Sequence, residues 1–419
     1  MSEATQTRRA QALLVLAIVL VSLNLRSALT VIGPLIRDLR EGDGLSSAAA
    51  GLLAAAPLLA FGLISPLGPG LAARFGIERT LAASMVVLSA SLALRPLPSV
   101  VLLFAGTLAA GAAIAVANVL LPALVKRRFG QQATFITGIY SVALGLGAAL
   151  AAGLAVPSER WFGDSWRAAL GVWSVPALLS ALIWLPLLRD VPERGASAAR
   201  VRVHLWRDRV AWSVTGYMSL LAVQFYSMVA WLPEIYRNEG MSKGAAGAVL
   251  SLALVVGIPF GFVVGAVAGR LRDQRPIVLA AGAACLAGWV GVFAAPSAVP
   301  SVWAILLGVG FGTGFTLVLA LFVLRSDDAP HAVALSGMAQ SIGYTLAALG
   351  PIAVGALHDA TSGWTIPLVV LIGVAAVDLA LGLRAGRARF VRGRDVAIGE
   401  PEPDPCGPEP AAAAAGAPR

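Results

Sequence analysis

Arg26 stands in the middle of an apolar run from Gln11 to Ile36, and its depth asks for a chemical explanation. At 1.5 Å per residue it lies within about 4 Å of the centre of that run. A guanidinium there costs roughly 2.5–3.5 kcal/mol in a bilayer, so it must face water, a partner or a substrate, or spend its donors on helix carbonyls as a packing residue. Its planar fork of donors suits an anion, a carboxylate or another strong acceptor. On a helix Arg26 shares a face with Thr30 and Gly33, whereas Asn24 points about 200° away and sides with Ser27. One face is expected to meet a cleft and the other to pack.

Other polar side chains recur at helical spacing in apolar surroundings: Asn118 with Pro122; Thr137, Tyr140 and Ser141; Tyr217 and Gln224; Thr313 and Thr316; and Ser336, Gln340 and Tyr344. Serine and threonine readily bond their own helix carbonyls. The residues expected to line a polar cleft are therefore Arg26, Thr30, Asn118, Tyr140, Gln224, Gln340 and Tyr344. Intramembrane carboxylates, the usual proton carriers, are scarce. Asp378 is the acid deepest in a run, Asp38, Asp190 and Glu234 sit at run ends, and His331 and His358 border another. A proton is kept as a candidate coupling partner with no relay assigned. No HExxH, Walker lysine, CxxC or GxSxG pattern occurs, and the only cysteines are Cys285 and Cys406. No catalytic set, metal site, cofactor or disulfide framework is expected.

The elements that must position these groups follow from composition. Of 419 residues, 58% are hydrophobic and only 13% charged, and the mean hydropathy is +0.82, whereas a soluble domain carries roughly 25% charge. The chain reads as all-α and membrane-spanning, the lipid bilayer being its obligatory partner. About twenty apolar residues cross a bilayer. Runs of that length lie near 12–36, 46–68, 78–95, 99–124, 133–157 and 166–188, then near 210–234, 244–268, 276–295, 299–324, 332–357 and 363–384. The first is too long for the apolar core of a cleaved signal and is taken as a span. The organisation is thus an N-terminal segment 1–11, a six-helix half 12–188, a polar Arg-rich linker 189–209, a second six-helix half 210–386, and a tail 387–419 whose Pro/Ala-rich end has too little bulky apolar surface to fold.

Cations set the orientation. Arg8/Arg9, Arg74/Arg79, Lys126 to Arg128, the linker, Arg270/Arg272/Arg275, Arg325 and Arg384 to Arg394 fall on one side; Arg37, Arg40, Arg95, Arg160, Arg167, Arg237 and Lys243 fall on the other. Both termini are expected in the cytoplasm. The net charge of +9 is then a topology signal, and no nucleic-acid partner is inferred. The halves also repeat: Ser46 with Ala49-Ala50-Gly51 recurs as Ser242 with Ala245-Ala246-Gly247, and Leu71-Ala72-Ala73-Arg74 running to Arg79 recurs as Val267-Ala268-Gly269-Arg270 running to Arg275.

The loop Pro66 to Arg79, with Gly68, Gly70, Arg74, Gly76 and Arg79, resembles the loop between helices 2 and 3 of major facilitator transporters, with Ala73 where that loop usually has an Asp before its Arg. Leu23-Asn24-Leu25-Arg26, Asn118 to Pro122 running into Lys126-Arg127-Arg128-Phe129, and Trp166-Arg167 together resemble the cyanate and 2-nitroimidazole transporter branch of that superfamily. The resemblance implies two six-helix pseudo-repeats, a substrate between them at midplane depth, a gating role for Arg74, Gly76, Arg79, Arg270 and Arg275 in the loops, and substrate contacts from Arg26 and Asn118. The activity it implies is a monomeric cytoplasmic-membrane permease, not an enzyme, moving a small anion or small polar organic compound by alternating access. The rival readings are an exporter of drugs or metabolites and, from another class, a membrane receptor that binds without transporting.

Overall fold

The computed structural model describes residues 3–129, 133–188, 202–327, 329–391 and 394–396. Twelve helical segments among the described residues are long and apolar enough to cross a membrane, built on α1 (Glu3–Thr30), α2 (Ser47–Ile64), α3 (Ile77–Leu94), α4 (Val100–Phe129), α5 (Ala133–Trp161), α6 (Ser174–Leu187), α7 (Arg209–Asn238), α8 (Lys243–Val267), α9 (Arg275–Ala294), α10 (Pro300–Leu324), α11 (Ala329–Thr361) and α12 (Thr365–Ala385); α6 reaches spanning length together with the helix that precedes it, as Trp166–Leu187. The expected all-α, twelve-span architecture is the one observed, and the protein is a multi-pass membrane protein. Shorter helices, Ile32–Asp43, Gly68–Phe75 and Trp166–Gly171, lead out of α1 and into α3 and α6. Span 1 ends at Thr30 rather than near residue 36, and a separate helix, Ile32–Asp43, follows it to a left-handed Gly44.

The sequence repeat has a structural counterpart. Ser46 caps α2 by accepting the Ala49 amide, and Ser242 caps α8 by accepting the Ala245 amide, each satisfying a donor that the first helical turn leaves unpaired. Five residues into each helix a glycine lets the opposite half approach. A Cβ on Gly51 would lie 2.3 Å from the Pro351 carbonyl oxygen of α11, and one on Gly247 would lie 3.2 Å from the Ala152 carbonyl oxygen of α5. Matching positions of the two halves thus make matching contacts across the interface.

Within each half, glycine also sets the spacing, as expected where van der Waals packing replaces the hydrophobic drive between helices. A Cβ on Gly147 of α5 would fall 2.1 Å from the Leu23 carbonyl oxygen of α1, and one on Gly312 of α10 would fall 2.1 Å from the Gly257 carbonyl oxygen of α8. Gly312→Val is therefore expected to force α8 and α10 apart at a cost of about 1–3 kcal/mol. The check is the thermal unfolding midpoint in detergent; a midpoint equal to wild type would contradict this account of the contact.

Three expectations change. Arg95, placed among the loop cations, is fully buried at the end of α3, where it donates to the Ala28 carbonyl of α1 at 3.1 Å. Its stem passes Gly106 of α4, whose missing side chain leaves the room. Arg325 is buried too. It donates to the Ala385 and Gly386 carbonyls at 3.0 and 2.8 Å and to Gln274, a cation closing the carbonyl end of α12; burial lowers its pKa from the ordinary guanidinium value. Finally, order extends beyond the spans into linker and tail. Strand β1 (Arg202–His204) pairs antiparallel with β2 (Arg394–Val396), Arg202 opposite Val396, and the Val391 amide bonds the Arg325 carbonyl. The remainder of the Pro/Ala-rich tail lies outside the described residues.

Candidate substrate-binding site

Arg26 crosses the interface between the halves. From α1 its Nη1 donates to the Tyr226 hydroxyl of α7 at 3.0 Å, and its guanidinium carbon lies 5.9 Å from the ring centroids of both Phe225 and Tyr226. Such a cation over aromatic faces is stabilised by about 0.5–2 kcal/mol as it is desolvated. Phe225 meets Tyr226, Phe311 and Phe315 edge-on at 5.2, 5.6 and 5.2 Å. The Tyr344 phenol of α11, within electrostatic range of Arg26 and Tyr226, is edge-on to Phe61 of α2 at 5.4 Å. A single cation is thus set among aromatic rings from both halves. Arg26 stays half-buried and its bond to one phenol leaves further donors of the fork for a ligand.

The residues expected to line the cleft divide in two. Tyr344 joins Arg26, and Tyr140 of α5 is a partly buried member of the same apolar cluster as Tyr344, Phe225 and Phe315. Asn118 is half-buried on α4, and its amide makes no hydrogen bond to a described residue. Gln340 is half-buried and donates to Ser336 one turn back at 2.7 Å. Thr30 and Gln224 do not face the cleft. The Thr30 hydroxyl is buried and shared between the Arg26 and Ala148 carbonyls at 3.1 and 2.9 Å, which locks α1 to α5. Gln224 is fully buried and donates to Asp378 of α12 at 3.2 Å. It lies two residues from Tyr226, which turns it to the opposite side of α7. Asp378 is accordingly half of a buried pair inside the second half. Asn24 packs as expected, donating to the Pro176 carbonyl of α6 at 3.2 Å. The missed members of the site are Tyr226, Phe225, Phe61, Phe311 and Phe315; adjacent aromatics at the middle of α7 were the available signal.

Above this site the halves are tied together at the end remote from the chain termini. Glu234 at the end of α7 accepts from Arg37 at 2.8 Å and lies 4.0 Å from Arg40. Asp38 meets Lys243 at 2.8 Å and Arg237 at 3.3 Å, and Lys243 also reaches Glu159. Asp359 of α11 accepts the Ser47 and Ala48 amides at 3.2 and 2.8 Å, where the first turn of α2 favours negative charge. At the opposite end no ion pair or hydrogen bond joins the halves between described residues.

The loop residues expected to gate lie at that opposite end. Arg74 is exposed, 5.3 Å from the Phe75 ring, and Arg79, Arg270 and Arg275 are exposed. Gly76 has φ +87°, a conformation that favours glycine. The acid of the first loop is Glu78: buried, it binds Arg127 and, at 2.8 Å, Arg128, both from the end of α4. In the second loop Asp273 is held below the usual carboxylate range by hydrogen bonds from Arg275.

Residues 14–348 match the Major Facilitator Superfamily profile. The chain is 38% identical to the 2-nitroimidazole transporter of Escherichia coli (strain K12), over 90% of this chain and 96% of that protein. It is 30% identical to the cyanate transport protein of the same strain, over 87% and 96% of the two. In three dimensions it is similar, at a TM-score of 0.74 and 15% identity over 90% of this chain and 97% of the other, to a bacterial homologue of the human lysosomal transporter Spinster solved inward-facing and unoccupied. Twelve spans in two repeating halves, a charged site between them and matches of this length have one common meaning: the chain belongs to the Major Facilitator Superfamily, in the branch of the cyanate and 2-nitroimidazole transporters.

Proposed function

We propose that the protein moves a small anion or a small, planar, acceptor-rich organic compound, cyanate-like or nitroimidazole-like, across the membrane by alternating access. The observation that carries this is the Arg26 guanidinium, bonded to Tyr226 and flanked by rings from both halves. A nitro group or carboxylate would accept from the fork while a planar ring stacks among Phe225, Phe315 and Tyr344. The transport properties of the relatives agree with this chemistry. Asn118 and Tyr140 are assigned to the same site and Gln340 to its rim.

The closed end carries the pairs of Glu234 and Asp38, and the cycle would break these pairs while bringing Arg74, Gly76, Arg79, Arg270 and Arg275 to a matching closure at the other end. By the distribution of cations the closed end is the outer one and both termini are cytoplasmic. A reporter joined after Arg419 is accordingly expected to show cytoplasmic activity, and an exterior signal would reverse the assignment.

Counterflow in proteoliposomes tests the activity: preloaded 2-nitroimidazole or cyanate should accelerate entry of the labelled compound. Binding without counterflow would favour a receptor. The aromatic lining favours, as a second reading, an exporter of apolar aromatic compounds; counterflow of such compounds with none of the anion or nitroheterocycle would establish it instead.

A further inference from the structure

Away from the cleft, at the end of the bundle that carries the termini, a cavity of about 420 Å³ opens between α7 and α12. Four arginines line it, Arg209 from the first turn of α7 and Arg384, Arg387 and Arg389 from the end of α12 and the segment beyond. All four are exposed, and none forms an ion pair with a described residue. The remaining wall is Ser213 and the apolar Val210, Trp212 and Leu381. Trp212 is itself exposed and stands edge-on to the exposed Trp206 at 5.9 Å, a pair of the kind that settles at headgroup depth.

The arginines beyond α12 are held in place. Buried Arg325 binds the Ala385 and Gly386 carbonyls, the Gln274 amide bonds Gly386 at 3.0 Å, and the Val391 amide returns to Arg325 at 2.8 Å. The backbone is thus pinned at 385, 386 and 391 across the end of the bundle, which keeps Arg384, Arg387 and Arg389 beside one cavity. Four like charges lining one cavity repel one another and stay together at least cost when an anion sits among them. An apolar wall beside them on a membrane protein suits an anion that carries a hydrocarbon chain.

We propose that this cavity binds the phosphodiester headgroup of an anionic phospholipid, with acyl chains against Val210, Trp212 and Leu381. On the sidedness argued above, the lipid belongs to the inner leaflet. The site does not depend on what the Arg26 cleft carries.

Titration of the purified full-length protein with short-chain phosphatidylglycerol and phosphatidylcholine, read by native mass spectrometry, tests it. Phosphatidylglycerol should bind the more tightly. Arg384→Gln/Arg387→Gln should weaken phosphatidylglycerol about thirtyfold, from roughly fivefold per arginine at a membrane surface, and leave phosphatidylcholine unchanged. Both side chains are exposed, so an unaltered unfolding midpoint is expected to accompany the loss. Arg79→Gln/Arg272→Gln, which removes two cations outside the cavity, should keep the preference. Equal affinity for the two lipids, an undiminished preference in the cavity variant, or the same loss in the outside variant would overturn the proposal. So would displacement of phosphatidylglycerol by inorganic phosphate at matched concentration, since the ligand would then be the free anion. A chain ending at Val396 should bind the lipid within twofold of the full length. A preference present only in that shortened chain would assign the cavity to the acidic tail segment and defeat the lipid reading.

Discussion

Replacing Arg26 with alanine is expected to abolish transport at ordinary substrate concentrations while leaving the protein in the membrane at near-normal abundance. A hydrogen bond to a charged group contributes about 1.5–3 kcal/mol, so losing it raises the substrate Kd about 10- to 150-fold at 1.4 kcal/mol per decade. Folding should tolerate the change, because the guanidinium has one hydrogen-bonded side-chain partner, Tyr226, and its removal relieves the cost of a cation at this depth. Arg26→Lys should fall between the two: the charge over the rings remains, but the planar fork does not. Tyr226→Phe deletes the phenol that orients the fork and should weaken binding less than Arg26→Ala. The check is counterflow paired with quantitation of purified protein per membrane; wild-type counterflow by Arg26→Ala would remove this residue from the site.

Glu234→Gln is expected to open the end remote from the chain termini. Glu234 is almost fully buried between Arg37 and Arg40, and with its charge gone these two cations of the first half face no anion from α7. Charged hydrogen bonds of about 1.5–3 kcal/mol are present in the closed state and absent from an open one, so their loss should shift the balance toward the open state about 10- to 150-fold. Spin labels at Glu41 and Glu239, both exposed and on opposite halves, report it. The substitution should enlarge the long-distance population in a double electron–electron resonance experiment, and Asp38→Asn should act in the same direction. An unchanged distance distribution in both variants would mean that the pairs do not hold the gate.

Much of this fold is legible in the residues because hydrocarbon imposes simple rules. Every spanning segment must satisfy its own backbone, so apolar length translates directly into α1 to α12, and Ser46 and Ser242 mark the same helix start twice. Arg26 is legible for the same reason: a lone cation at that depth has few roles open to it. Its surroundings are not. Tyr226 is two hundred positions away, and no periodicity links a guanidinium in one half to a phenol in the other. Aromatic residues in a span look alike whether they face lipid, a neighbour or a cleft. Gln224 shows the limit from the other side: polarity in mid-span predicts a partner, and that partner, Asp378, lies within the second half and draws it away from Arg26. Arg95 carries the same lesson, since a cation at a span end reads as a loop residue unless the gap left by Gly106 is known.

The pairing of β1 with β2 has a mechanical consequence. Leu205 lies in the core of the second half, and the tail is tied there through Val391, so the clasp rides with that half. The leash between the halves is then residues 189–201, thirteen positions, and a chain of that length reaches at most about 45 Å. That is ample for one half to tilt against the other. Cutting the tail before Arg394 would release β1 and lengthen the leash without touching a single spanning helix.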